Sequence, residues 1–199
     1  MERLSKIISR RGLASRRLAE TWIQQGKVRV NGKVILLPEH HCDPDKEEIL
    51  VSGKQIPPEE APITFLLHKP KGYLCSNTRI HPNQKLAIDL LPPIRRKLFT
   101  IGRLDKDTEG LLLVTNDGAF SQSVIHPRNN IEKEYLLKAK ENISHEHLVS
   151  MGKPMYIEKR LVRALSVKKV RKNTCRIVVK EGKKHEVRLL AKRAGLSVH

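Results

Sequence analysis

The amino-acid sequence predicts an α+β protein of two domains, and three observations support this fold class. Apolar residues at helical spacing are followed by a short hairpin pattern within residues 1–35. Paired prolines in Gly53-Lys-Gln-Ile-Pro-Pro-Glu-Glu-Ala-Pro62 stop both helices and sheet ladders, which is typical of a linker. Beyond it, several short apolar segments have the character of strands. We therefore expect one domain over residues 1–52, a linker over 53–61 and a second domain over 62–199.

The charge of the 199-residue chain is strongly positive and unevenly distributed. A total of 39 Lys and Arg against 21 Asp and Glu gives +18, divided into +7 over residues 1–33, −5 over 34–60 and +16 over 61–199. Such a protein needs an anionic partner, and nucleic acid is the usual one. No apolar run approaches the ~18 residues of a membrane span. The three cysteines lack C-x-x-C spacing, which excludes a zinc module and a disulfide framework.

Residues 1–35 predict two helices and a hairpin. The first helix ends near Gly12, and Ser15 caps the second, which ends at Gly26. An Asn31-Gly32 turn then joins two short strands. The apolar faces of the helices consist of Leu4, Ile7 and Ile8, and of Leu18, Ala19, Trp22 and Ile23.

This frame brings six basic side chains close together. Guanidinium groups on a compact frame suit phosphate and RNA binding, although a solvated basic face would have the same composition. The six are Arg10, Arg11, Arg16, Arg17, Lys27 and Arg29. The segment RLSKIISRRGLASRRLAETWIQQGKVRVNGK resembles the S-four RNA-binding domain over residues 2 to about 50, most specifically in GLASRR followed by GKVRVNG. The resemblance implies contact with structured RNA through the helix pair, including Ser15, and no chemistry.

A loop rich in carboxylates precedes an apolar strand within residues 102–118. As a calcium loop starting at Asp105, its twelfth position falls on Asn116, which cannot supply the bidentate carboxylate. As a D-x-D-x-T phosphatase, it lacks the buried strand before the nucleophile and a later Asp-Asp pair for magnesium. Two interpretations stay open at this point. Either Asp105 is a single nucleophilic or electrostatic group with Asp107 and Glu109 solvated, or the loop is merely polar.

Two later segments supply further candidates. Tyr135 begins an apolar alternation with Leu137 and Ala139, so its ring points inward, either to stack on a base or as an ordinary core aromatic residue. A strand from Cys175 is followed by a helix over 185–194, and Arg188 projects near its first turn. That arginine pairs with a carboxylate or faces solvent.

Together, LLHKPKGYLCSN, GRLDKDTEGLLLVTNDG, HPRNNIEKEYLLK and EGKKHEVRLLAKRAG resemble the RNA pseudouridine synthases of the RsuA/RluB branch, which place an S-four domain before the catalytic domain. The resemblance covers nearly the whole chain in the right order. It implies a mixed, mainly antiparallel sheet with an RNA cleft across it, no cofactor and no metal. It also implies a strand after the helix that ends near Gly195. The sequence stops at His199, so we expect an unpaired sheet edge.

By this resemblance Asp105 is the catalytic aspartate, Tyr135 the active-site tyrosine and Arg188 the basic partner of the aspartate. The carboxylate attacks the anomeric carbon of the sugar or assists a glycal intermediate, and a neighbouring guanidinium favours its ionised form. Tyr135 holds the flipped base, and the base that removes the carbon-5 proton is left open. Arg103 fills the space of the flipped base or contacts a phosphate. The remaining expected RNA contacts are Lys71, Lys183 and Lys184.

We therefore expect a ribosomal RNA pseudouridine synthase that converts a specific uridine through an ionised aspartate. Its partner would be ribosomal RNA or an assembling ribosomal subunit, without a membrane or a small-molecule cofactor. We expect a monomer in the cytoplasm, or in an organelle because Met1 to Arg17 also has the composition of a transit peptide. A second hypothesis is a catalytically impaired RNA-binding or ribosome-assembly factor of the same lineage. The phosphatase is the third.

Overall fold

The computed structural model describes residues 1–94, 96–157, 159–180, 182–183 and 185–198. The chain forms two compact units, Met1–Ser121 and Gln122–His199, and each is described by itself. Across the described residues, every pairing between named strands is antiparallel. The α+β class expected from the sequence is confirmed.

The first unit begins with a helix pair over a small sheet. Its elements are β1 (Glu2–Arg3), α1 (Leu4–Arg10), α2 (Arg16–Gln24), β2 (Val28–Val30), β3 (Lys33–Ile35), β4 (His41–Cys42), β5 (Ile49–Val51) and β6 (Lys54–Gln55). The larger sheet has the strand order β3-β2-β5-β6, and β1 pairs with β4. Strand β6 lies within the segment that the sequence analysis assigned to the linker. The linker therefore begins as the edge of this sheet.

Local sequence signals account for these elements. The Ser15 hydroxyl accepts a hydrogen bond from the Leu18 backbone N–H at 3.3 Å, as expected for a helix N-cap. Asn31 and Gly32 both have positive φ, 48° and 77°, which is the conformation a two-residue hairpin turn requires. One expectation was wrong: Leu18 is exposed, so it does not belong to the buried stripe of α2. Helix α2 buries Ala19 and Ile23 in the core cluster that it shares with α1, and Leu18 lies outside that buried face.

The rest of the first unit is built on a three-stranded sheet. Its elements are β7 (Thr64–Lys69), a 3₁₀ helix (Ala87–Leu90), β8 (Phe99–Ile101) and β9 (Gly110–Thr115), followed by α3 (Gly118–Ile125). Strand β9 lies between the other two, in the order β7-β9-β8. Leu112 and Val114 of β9 are buried with Cys75 and Ala87, so one face of the sheet supports the segment after β7. This packing positions the carboxylate-rich loop between β8 and β9.

The second unit carries the other sheet. Its elements are β10 (Lys133–Lys138), α4 (His145–Gly152), β11 (Met155–Ile157), β12 (Arg160–Val162), β13 (Ser166–Arg171), β14 (Thr174–Val179) and α5 (Glu186–Arg193). The strand order is β10-β14-β13, and β11 pairs with β12. Leu137, Ile177 and Leu190 are buried in one cluster, so α5 packs on the sheet as its apolar pattern predicted. On the far side of β10, the described chain contributes an isolated bridge between Ala139 and Val198.

No helix within the described ranges is both long and apolar enough to cross a membrane.

Candidate active site

Asp105 lies in the loop that connects β8 to β9. Its side chain is half-buried, whereas Asp107 and Glu109 are exposed, which matches the expectation that two of the three carboxylates are solvated. The Thr108 backbone N–H donates to the Asp105 carbonyl at 3.1 Å and closes a turn directly after the aspartate. Among the described residues, no group of three or more His, Cys, Asp or Glu side chains could hold a metal ion. The loop thus presents one partly sheltered carboxylate.

The buried Lys69 holds the loop on the C-terminal side of Asp105. It ends β7 opposite Gly110, and its side chain is 0% exposed. Its ammonium donates to the carbonyl oxygens of Thr108 at 2.6 Å, Pro70 at 3.0 Å and Lys106 at 3.3 Å. An ammonium has three N–H donors, so all of them can be used by these carbonyls. The loop backbone is therefore fixed at positions 106 and 108.

Burial and the neighbouring groups have opposite effects on the pKa of Lys69. Desolvation by burial lowers the pKa of Lys69 from its ordinary value, while the nearby groups of Cys75, Asp107, Asp105 and Glu109 act in the opposite direction. The carbonyl dipoles and the acidic loop together compensate for the burial of a cation. This lysine stands in the segment LLHKPKGYLCSN, but its role was not predicted from the sequence. The usable signal was a lysine that ends an apolar strand and directly precedes a proline.

Two further contacts fix the loop from the segment after β7. The Gly72 backbone N–H donates to the Lys106 carbonyl at 2.8 Å. The Leu104 backbone N–H donates to the sulfur of the buried Cys75 at 3.3 Å. Asp105 therefore lies between two residues whose backbones are hydrogen-bonded to residues 72–75. A carboxylate on so constrained a backbone is positioned before any substrate binds, which is what a reactive group requires.

Tyr135 and Arg188, the other predicted catalytic residues, belong to the second unit. Tyr135 lies on β10 opposite Ile177, is half-buried and packs against the core cluster of that unit. Arg188 is the third residue of α5 and is half-buried, while Glu186 two residues earlier is buried and accepts a hydrogen bond from the Lys183 backbone N–H at 2.7 Å. The second unit therefore offers both the inward tyrosine and the helix-borne arginine that the sequence predicted.

The predicted RNA-binding residues fall into two groups. Those with exposed side chains are Ser15, Arg16, Arg17, Lys27, Arg29, Lys71 and Arg103. In contrast, Arg10 and Arg11 are half-buried and bind other parts of the chain: Arg10 pairs with Glu2 at 3.0 Å and with Glu59 at 3.2 Å, and Arg11 donates to the Pro57 carbonyl at 2.9 Å. Lys183 is half-buried. Lys184 lies outside the described residues.

Comparisons with known proteins agree with this architecture. Residues 63–193 match the family model described as RNA pseudouridylate synthase, and residues 2–47 match the S4 domain. Ribosomal large subunit pseudouridine synthase B of Bacillus subtilis is 36% identical, over 100% of this chain and 82% of that protein. A chloroplastic protein of Arabidopsis thaliana, SVR1, is 39% identical over 100% of this chain, which spans 52% of its length. A crystal structure of a pseudouridylate synthase has a TM-score of 0.67 and 26% identity, over 100% of this chain and 85% of that one.

The chain combines a helix pair and hairpin with a sheet domain that carries a constrained aspartate loop. This combination defines an RNA-modifying enzyme with its own RNA-binding module. The chain belongs to the RNA pseudouridylate synthase family and carries an S4 domain ahead of the synthase domain. The resemblance to the RsuA/RluB branch that the sequence predicted is confirmed, and so is the expectation of an isomerase of this family.

Proposed function

We propose that this chain isomerises one specific uridine of large-subunit ribosomal RNA to pseudouridine. The observation that carries this proposal is the constrained position of Asp105, whose neighbours at 104, 106 and 108 are hydrogen-bonded to Cys75, Gly72 and Lys69. The relatives named ribosomal large subunit pseudouridine synthase support the class of RNA. Exposed arginines on the helix pair, including Arg16 and Arg17, support phosphate contacts by the S4 domain.

The reaction rearranges atoms of one nucleotide and needs no redox agent. The bond between uracil N1 and sugar C1′ breaks, the base turns, and a bond forms between C5 and C1′. C5 loses its proton and N1 gains one, so substrate and product have the same composition. The Asp105 carboxylate stabilises the electron-poor C1′, either by attacking it or by assisting a glycal, following the logic of glycosidases.

The other two residues have roles that follow from their chemistry. A uridine stacked in a helix cannot reach a loop carboxylate, so the target must flip out, and the half-buried Tyr135 ring supplies a flat surface for it. Arg188 is assigned as the basic partner of the aspartate by the resemblance to the RsuA/RluB branch. Arg103, next to the aspartate and exposed, contacts a phosphate or fills the vacated stack.

Pseudouridine mapping tests the proposal directly. Unmodified ribosomal RNA of both subunits is incubated with the chain, with Asp105→Asn and with Asp107→Asn, a matched control for an exposed carboxylate on the same loop. We expect one site in the large-subunit RNA for the chain and for Asp107→Asn, and none for Asp105→Asn, with RNA binding retained. Pseudouridine formed by Asp105→Asn would contradict the mechanism. RNA binding without product from the unaltered chain would favour the assembly-factor hypothesis.

A further inference from the structure

The segment 57–63, here called the strap, connects the S4 domain to β7. Most of this segment was predicted to be a linker because of its prolines. In the structure it is bound from the side of the S4 domain at three points. Arg10 Nε pairs with Glu59 Oε2 at 3.2 Å, and Arg11 donates to the Pro57 carbonyl at 2.9 Å. The carboxylate of Glu60 lies over Gly12, 3.5 Å from the position that a β-carbon there would take.

The strap is bound from the side of the synthase sheet as well. Asn116, directly after β9, accepts from the Ile63 backbone N–H at 2.8 Å and donates to the Ala61 carbonyl at 3.1 Å. Arg96 donates to the same Ala61 carbonyl at 2.9 Å. Because β9 begins at the end of the Asp105 loop, one strand joins the aspartate loop to the strap.

A direct contact also joins the two sides. The Lys97 ammonium, two residues before β8, donates to the Leu13 carbonyl at 2.6 Å. Leu13 lies in the turn between the two S4 helices, which is the turn that the strap covers at Gly12. The S4 domain is thus attached to the synthase sheet through the strap and also by the direct hydrogen bond from Lys97 to Leu13. A flexible tether would have none of these contacts.

These contacts change the interpretation of two predicted RNA-binding residues. Arg10 forms ion pairs with both Glu59 and Glu2, and Arg11 donates a hydrogen bond to the backbone carbonyl of Pro57. The exposed basic residues of the helix pair and hairpin, Arg16, Arg17, Lys27 and Arg29, are the ones that face solvent. Exposed ion pairs are individually weak and screened by salt, so the strap depends on several contacts acting together.

We propose that the Arg10–Glu59 pair is a specificity-determining contact, because it fixes the direction in which the S4 domain presents bound RNA to the Asp105 loop. The proposal rests on the proposed function for its substrate. RNA bound to the exposed S4 face then presents only one uridine to the aspartate. This is the uridine at a fixed distance and angle from the bound stem. Arg10 is a positioning residue in this scheme. A second binding module raises the effective concentration of the target only when its geometry permits both contacts at once.

The test reverses the pair. Glu59→Arg and Arg10→Glu are compared with the double change R10E/E59R, and Glu39→Arg is the matched control, for which we expect unchanged selectivity. Glu39 is exposed and is in no ion pair within the described part of the chain. We expect Glu59→Arg to lower modification of the mapped uridine in full-length RNA by about tenfold and to raise modification elsewhere. Turnover on a short hairpin that contains the uridine should stay unchanged. The double change should restore selectivity in part, because R10E also breaks the pair between Arg10 and Glu2 at 3.0 Å.

A distance measurement separates this proposal from the proposed function. Spin labels on Gln24→Cys and Asn83→Cys, both exposed, report on the S4 domain and the synthase part, and the native cysteines are buried. We expect a narrow distance distribution for the chain, a broad one for Glu59→Arg and a narrow one again for the double change, whether or not the RNA is modified. Unaltered distributions in Glu59→Arg would overturn the proposal. So would an RNA-binding defect of Arg10→Glu that E59R leaves unrelieved, as expected for a direct phosphate contact.

Discussion

The ammonium nitrogen of Lys69 lies 2.6 Å from the carbonyl oxygen of Thr108, and this contact ties the end of β7 to the loop that carries Asp105. The lysine is fully buried, and within the described residues its ammonium donates hydrogen bonds to three backbone carbonyls. A buried cation that is bound in this way is costly to remove, because its removal leaves buried carbonyls without donors. Lys69 therefore organises the backbone of the candidate active site.

Lys69→Met is expected to lower turnover by about tenfold or more while RNA affinity changes little, because small misplacements of a catalytic group are costly. Lys71→Met is the matched control, since Lys71 is exposed two residues along. There we expect weaker RNA binding and unchanged turnover at saturating RNA. Single-turnover rates at several RNA concentrations distinguish the two effects. Equal losses of affinity in both variants would show that Lys69 acts as an ordinary surface charge.

Gly110→Ala is expected to destabilise the protein by about 1–3 kcal/mol, because Gly110 has a φ of +138°, which L-residues rarely adopt. No described atom lies within 4 Å of the added β-carbon, so the cost comes from the backbone. Gly110 pairs with Lys69, so turnover should fall as well. Gly118→Ala at the start of α3 is the control, with ordinary φ and equal space, and should be neutral or stabilising. Urea unfolding measures both, and equal stability of the two variants would contradict the argument.

Cys175 makes the stability of the protein fall in alkaline solution. Burial raises the pKa of Cys175 from 9.0 to about 11. Between these values the unfolded chain has lost the proton that the folded chain retains, so stability is fully present below pH 9 and is lost as pH rises toward 11. Urea unfolding from pH 8 to 10.5 should show the chain losing about 2 kcal/mol more than Cys175→Ala over this range. Parallel curves for the two proteins would disprove a buried neutral thiol.

Cys42 offers a related test with an electrostatic component. Burial, followed by the charges of Glu47 and Asp43, together raise the pKa of Cys42 to about 11. Glu47→Gln should therefore lower the folded pKa of Cys42, so that the alkaline loss of stability contributed by Cys42 ends at a lower pH and is smaller in total. The total change in unfolding free energy across the alkaline range measures this. An unchanged total would mean that the charge of Glu47 does not raise the Cys42 pKa.

Arg17→Gln is expected to weaken RNA binding and to reduce the salt dependence of the binding constant by about one unit of slope, as for the loss of one phosphate contact. The matched control is Arg176→Gln on β14, whose exposed side chain pairs with Glu134 at 3.3 Å. Titrations at several salt concentrations should show no change of slope for the control. The same decrease in both variants would indicate a diffuse effect of net charge rather than an S4 contact.

The elements that the sequence predicted are those with strong local signals. The cap at Ser15, the Asn31-Gly32 turn and the strand that contains Leu112 depend on hydrogen bonds and backbone angles within a few residues. The hairpin of β11 and β12 and the helix α4 were not predicted, because their short segments have mixed polarity. Leu18 was mispredicted because helical spacing gives only the direction of a side chain, and its burial depends on which elements pack against that side of the helix.

The sequence alone determined the family, the order of the two domains and the candidate aspartate, because the order of motifs and the type of each residue do not depend on the fold. Only the tertiary structure decided that Lys69 supports the aspartate loop and that Arg10 and Arg11 bind the strap. Both facts concern partners that lie 39 to 49 residues away in the chain. The type of a basic residue does not show whether its side chain binds a phosphate, a carboxylate or a carbonyl, and the fold determines which of them it binds.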